Sequence, residues 1–261
     1  MLRRSFLGTC AVSVIASADE PSPLLVQGAT DSELQPLLSA LQNRRETQVS
    51  SWTFWEGRIG GKPVVVSRTE VGPINAVAAT VLGIERYKPA LVINQGTAGA
   101  HNPSLKLWDI VIGERTVDYG AYTSPHANAG SGVHPSDWKA DPHRLRLDGK
   151  DLTTFASFTG DARTIETALA MKNPRGRVIK GTVGTAYQYN RELDMIASIH
   201  ARCGTDSEDM ESAFAHGAAI GLHTRFLAIR MISDSEYKHP TFERVAGQYC
   251  SEFVVDLVHR L

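Results

Sequence analysis

The sequence predicts a single-domain α/β fold, a sheet with helices packed on both faces. Two observations carry that expectation. Short apolar, β-branched runs alternate with helix-like segments along the whole chain, the pattern of strand–helix units. The 261 residues, 42% of them hydrophobic, are enough to bury one sizeable core. No internal repeat period is visible.

Taken in order, residues 1–18 stand apart as an export signal, leaving 19–261 as the folded domain. Arg3-Arg4-Ser5-Phe6-Leu7 is a charged start, Leu7 to Ile15 is apolar but too short to span a bilayer, and Ala16-Ser17-Ala18 is a small-residue cleavage site. The paired arginines also fit a twin-arginine signal, so the route to the periplasm stays open between the two export systems. Strands are expected at Leu24-Leu25-Val26, Val64-Val65-Val66-Ser67, Leu91-Val92-Ile93-Asn94, Ile110-Val111-Ile112, Arg177-Val178-Ile179 and Phe226-Leu227-Ala228-Ile229. Helical spacing falls at 31–43, 74–86, 160–172, 190–201, 210–221 and 241–260. Residues 121–151, rich in His, Pro, Ser, Asp and Gly, read as one long irregular loop.

Several function classes are disfavoured. There is no Gly-x-Gly-x-x-Gly and no Gly-x-x-x-x-Gly-Lys, so dinucleotide and P-loop chemistry have no motif. The histidines are scattered without zinc-ligand spacing, and no metal or organic cofactor is expected. The full chain carries a formal charge of −1, and losing Arg3 and Arg4 makes it two charges more negative. With no block of like charge, neither nucleic acid nor membrane insertion after processing is expected. Cys10 lies within the signal, where the apolar stretch follows it instead of preceding it, against a lipoprotein anchor. Cys203 and Cys250 could form one disulfide in an oxidising compartment, or Cys250 could simply pack inside the C-terminal helix.

Candidate site residues cluster where strands end, the place where open α/β sheets bind ligands. Ser207-Glu208-Asp209-Met210-Glu211-Ser212-Ala213 passes from a polar strand into a small-residue run, and Ile229-Arg230-Met231-Ile232-Ser233-Asp234 ends an apolar strand in a carboxylate. Leu24-Leu25-Val26-Gln27-Gly28-Ala29-Thr30-Asp31-Ser32-Glu33 is a strand, a glycine turn and a helix start. On residues alone Thr30 or Ser32 is a helix cap and Glu33 a first-turn acid favoured by the macrodipole. Asp209 and Glu211 could likewise only favour the next helix. Val92-Ile93-Asn94-Gln95-Gly96-Thr97-Ala98-Gly99-Ala100 is a buried strand ending in a glycine-rich turn that lets backbone approach a ligand.

These segments resemble the nucleoside phosphorylase/hydrolase superfamily, and within it the nucleosidases acting on methylthioadenosine and S-adenosylhomocysteine. The likeness runs from about Leu24 to the C-terminus, with 115–160 poorly matched. It implies a nucleoside phosphorylase-like fold with a central mixed sheet, no cofactor, a purine nucleoside as substrate and a homodimer. It also implies roles. Asp234, held by Ser233, matches the general acid that protonates N7 of the leaving purine. Glu33 stands where the family has the base that activates water, with Asp31 as its competitor. Glu211 matches the acceptor of the ribose hydroxyls and Met210 the residue packing under the sugar. Thr97 and Gly99 belong to the turn lining ribose and base. Val71, in Thr69-Glu70-Val71-Gly72-Pro73-Ile74-Asn75, would face the 5′ substituent, and Tyr187 and Gln188 would stack on and bond the purine. Asn94 stands where phosphorylases carry a phosphate-binding arginine, so hydrolysis is favoured over phosphorolysis. A phosphate-dependent phosphorylase, and an exported nucleoside-binding or adhesive protein without activity, are the alternatives. His134, Tyr119 or Tyr122 would supply the contact to the partner subunit.

Overall fold

The computed structural model describes residues 21–261, so the export-signal reading of 1–18 lies outside the described residues. In chain order the elements are β1 (Leu24–Gly28), α1 (Asp31–Ala40), β2 (Gln42–Val49), β3 (Trp52–Ile59), β4 (Lys62–Arg68), α2 (Pro73–Tyr87), β5 (Leu91–Ala100) and β6 (Ile110–Asp118). They continue with β7 (Tyr122–Thr123), β8 (Lys139–Ala140), β9 (His143–Arg146), β10 (Leu152–Phe155), β11 (Phe158–Thr159), α3 (Ala162–Leu169) and β12 (Val178–Thr185). The chain ends with α4 (Leu193–Cys203), β13 (Ser207–Asp209), α5 (Ser212–Gly221), β14 (Phe226–Asp234) and α6 (Val245–Arg260).

The expected α/β architecture is present as one mixed sheet. Its order is β11-β6-β12-β13-β5-β1-β4-β3-β2, with β14 bonded to both β5 and β6. Pairing is parallel from β4 through β1 and β5 to β14, and antiparallel between β14 and β6 and between β13 and β5. Because β13 returns to β5 at Glu208 and Gly99, strands β5, β14, β6, β12 and β13 curl into a closed ring. That closure brings the ends of β1, β5, β13 and β14 to a common point.

The strands are apolar at consecutive positions because both faces are covered. In β1, β4 and β5 the pairs Leu25/Val26, Val65/Val66 and Val92/Ile93 send alternate side chains to opposite cores. Val26, Val66 and Ile93 pack with Leu34 and Leu37 of α1, Ile165 of α3 and Val254 and Leu257 of α6. Leu25, Val65 and Val92 pack with Ala76 and Ile84 of α2 and Ala215 and Ala219 of α5. Leu37 is fully buried, so truncation to alanine should cost about 2–5 kcal/mol.

Two features differ from the sequence expectation, and a third decides between alternatives it left open. Helix α1 stops at Ala40, and the polar run beyond it forms an edge hairpin of β2 and β3. Residues 121–151 include parts of two small ladders, β7 with β8 and β9 with β10. Cys203 and Cys250 are both free, so no disulfide joins them: Cys250 is sealed on the inner side of α6 against Ile229, while Cys203 packs with Tyr119 at the end of α4. Among the described residues no helix is long and apolar enough to cross a membrane.

Candidate active site

A cavity of about 240 Å³ lies where the strand ends converge. A larger hollow of about 550 Å³ near Pro21, Arg45 and Lys88 is an open groove along the β3–β4 side, far from these carboxylates. Glu33, Val71, Thr97, Gly99, Gln188, Met210, Glu211, Ser233 and Asp234 all line the small cavity. Tyr187 does not. It is 71% exposed, its ring lying over Gly72, and the tyrosine on the cavity wall is Tyr189.

Glu33 is placed by the β1 turn. Its Oε2 accepts the N–H groups of Ala29 (2.8 Å) and Thr30 (3.0 Å), so Glu33 is the returning acid of a capping box with Thr30 as the cap, a fuller part than the first-turn position expected of it. Its Oε1 accepts the N–H (2.9 Å) and the hydroxyl (3.2 Å) of Thr97, which ties β1 to the end of β5. One carboxylate therefore caps a helix and faces a cavity. The fit is tight: a Cβ on Gly96 would sit 2.5 Å from Oε1, and one on Gly247 of α6 would sit 2.8 Å from Cγ. Asp31, the competitor, is exposed and bonded to Arg68.

Glu211 begins α5. It accepts the N–H of Gly72 at 2.9 Å and that of Met210 at 3.3 Å. Burial, reinforced by the neighbouring Asp209 charge and opposed by Arg230, pushes its carboxyl up to about 7. Gly72 holds φ at +97°, a conformation glycine adopts without strain, and that turn aims its N–H at Glu211.

Asp209 serves the frame. It accepts from Arg230 Nε (2.7 Å), from Thr185 Oγ1 (2.5 Å) and from the hydroxyl of Ser212. Arg230, fully buried in β14, also bonds the side-chain and backbone oxygens of Asn94. Asn94 is thus spent on Arg230 and Gln27 and does not reach the cavity. Among the described residues no lysine or arginine lines the cavity.

Asp234 closes the site at the end of β14. Ser233 donates to its Oδ1 at 2.6 Å and Tyr189 to its Oδ2 at 3.2 Å. Burial raises its pKa above the ordinary value against both hydrogen bonds, and the Glu208 charge adds to the rise. A carboxyl that keeps its proton longer than usual suits an acid.

Glu208 and Tyr189 were not singled out as site residues from sequence. Glu208 has His101, Tyr119 and Asn190 around it and lines the same cavity. Tyr119 is buried with its hydroxyl on Glu208, so it is not the subunit contact the sequence suggested. Tyr122 and His134 are surface residues, Tyr122 stacked on Trp138. The signal for Glu208 was the carboxylate within the Ser207–Ala213 segment, but its partners lie up to 107 residues away.

Fold and cavity together define an α/β protein built to hold a small polar molecule among carboxylates. The chain belongs to the phosphorylase superfamily, whose family model matches residues 23–256. The 5′-methylthioadenosine/S-adenosylhomocysteine nucleosidase of Bacillus licheniformis is 25% identical over 248 residues, covering 91% of this chain and 99% of that protein. The nucleosidase of the same name from Geobacillus kaustophilus is 29% identical, over 88% of this chain and 94% of its own length. The crystal structure of the Neisseria meningitidis nucleosidase with methylthio-immucillin-A superposes with a TM-score of 0.74 at 23% identity, covering 92% of this chain and all of that one.

Proposed function

We propose that the protein is a purine nucleosidase that hydrolyses the N-ribosidic bond of methylthioadenosine- or S-adenosylhomocysteine-like nucleosides to free adenine and the thioribose. The observation that carries the reading is the meeting of Glu33, Glu211 and Asp234 in one cavity. The names of the curated relatives, matched over nearly their whole length, support the substrate class.

The chemistry follows from the carboxylates. Breaking the C1′–N9 bond sends its electron pair into the purine and leaves a cationic sugar. Asp234 gives its proton to N7, so the base departs neutral. Glu33 takes a proton from water as the oxygen bonds C1′. Each such transfer typically contributes about 10²–10⁴-fold. Glu211, accepting from the 2′- and 3′-hydroxyls, places negative charge where the sugar becomes positive. Phosphorolysis would need a fixed cation at the phosphate, and the cavity lining offers none among the described residues. Chromatographic assay of base release from a nucleoside panel, with and without phosphate, tests the reading. Phosphate-independent release of adenine supports it; ribose-1-phosphate products would overturn it.

Two further parts of the proposal concern the setting. Residues 1–18 direct export to the periplasm, which cell fractionation with and without that segment tests. The working form is a homodimer whose partner covers the cavity mouth, where Val71 and Phe242 are exposed. Light scattering that finds a fully active monomer would refute the dimer.

A further inference from the structure

Glu208 is unlike the other carboxylates of the cavity. Its Oε2 accepts three side-chain bonds: from His101 Nε2 at 3.0 Å, Tyr119 Oη at 2.7 Å and Asn190 Nδ2 at 2.6 Å. Behind them, His101 Nδ1 pairs with the Thr205 hydroxyl at 2.8 Å, and Asn190 Nδ2 also reaches the Tyr119 oxygen at 2.9 Å. The other oxygen, Oε1, accepts only a long bond of 3.2 Å from the Asn190 backbone N–H. Burial alone would push this carboxyl up, yet the His101 ring, with Asn190 and Tyr119, brings it below its ordinary value. Glu208 is therefore a buried, ionised group with one oxygen saturated and the other able to accept more.

That second oxygen lies near the acid. Gly99 lies between the two groups: a Cβ there would be 3.3 Å from Asp234 Oδ2 and 3.4 Å from Glu208 Oε1. Gly99 and both carboxylates line the cavity, and the absent side chain leaves open the space between them. In a purine, N7 and the substituent at C6 lie on the same edge. A carboxylate next to the one that protonates N7 is therefore next to position 6.

We propose that Glu208 is a specificity residue, its Oε1 accepting the exocyclic amino group of a 6-aminopurine and repelling the carbonyl oxygen of a 6-oxopurine. The inference rests on the nucleosidase reading and on Asp234 as the acid. A 6-amino group donates, and Oε1 needs a donor. A 6-oxo group only accepts, and would set one acceptor against a charged one that cannot retreat, because its companion oxygen is fixed by three donors. A site built to bond a substrate N–H rejects the analogue lacking it far more strongly than a shape difference could.

The test compares kcat/KM for 5′-methylthioadenosine and 5′-methylthioinosine in the wild-type protein, Glu208→Gln and Asn190→Ala. Wild type should favour the amino substrate by at least ~10²-fold. Glu208→Gln, whose amide can turn its N–H toward a carbonyl, should shrink that ratio at least ~10-fold. Asn190→Ala, which removes one of the three bonds fixing Oε2, should shrink it by about threefold to tenfold. A merely structural role for Glu208 would lower both rates together and leave the ratio untouched. An unchanged ratio in folded Glu208→Gln overturns the proposal; if that variant does not fold, an unchanged ratio in Asn190→Ala overturns it. Cleavage of neither nucleoside by the wild type would overturn the nucleosidase reading and this inference with it.

Discussion

Replacing Glu211 with glutamine isolates what the sugar-facing carboxylate contributes, because size and shape stay while the titration disappears. The carboxyl is pushed up to about 7 from an ordinary 4.5 by burial first and the Asp209 charge second. Between those values the folded chain holds a proton that the unfolded chain has released, so wild-type stability falls as pH rises through that window. The shift corresponds to roughly 3 kcal/mol, fully present below pH 4.5 and lost by the time pH has passed about 7. Glu211→Gln escapes the loss, so its urea midpoint should change less than wild type's between pH 5 and pH 8. Affinity should move the opposite way. The ionised form accepts the ribose hydroxyls, and a group titrating at about 7 goes from about one-tenth to about nine-tenths ionised between pH 6 and 8. Wild-type KM should fall by about tenfold over that range, while Glu211→Gln gives a high, flat KM, weaker at pH 8 by the ~1.5–3 kcal/mol of a charged hydrogen bond. Steady-state kinetics and urea unfolding on the same preparations measure both. A wild-type KM that does not respond to pH, or a variant whose stability falls as steeply as wild type, would refute the reasoning.

Other expectations follow from the same geometry. Gly96→Ala drives a methyl into Glu33 Oε1, so kcat should drop at least ~10²-fold as the base is displaced; unchanged kcat in a folded variant would contradict that placement. Asp209→Ala strands the fully buried Arg230 without its carboxylate, and thermal unfolding should show a loss of about 3–5 kcal/mol; a loss below ~1 kcal/mol would mean the pair does not hold the frame.

The alternation of Leu91-Val92-Ile93 and its fellow strands with helical segments made the sheet and its two covered faces legible, because doubly buried strands are apolar throughout. The hairpin over Gln42–Ile59 was not legible: Gln42–Val49 is an exposed edge strand of polar residues, and pairing with β3 decides its conformation more than its own pattern does. Resemblance located Glu33, Glu211 and Asp234, which local spacing alone left as helix-start acids or a strand end. It did not distinguish Tyr187 from Tyr189, two residues apart, since which ring meets the cavity depends on how the chain leaves β12 over Gly72. Arg230 had no role that its own segment could show, because its partners Asp209 and Asn94 lie 21 and 136 residues away and meet it only in the fold. Glu208 was hidden for the same reason: its ionised state is made by residues the sequence keeps far apart.

The most direct test of the account is the Asp234→Asn variant, with kcat, KM and melting temperature measured on one preparation. Asparagine keeps the size and can still accept from Ser233, but it has no proton to give to N7. The account predicts a loss of at least ~10²-fold in both kcat and kcat/KM, with KM and melting temperature nearly unchanged. Near-wild-type kcat, or a lost melting temperature with full activity per folded molecule, would contradict it.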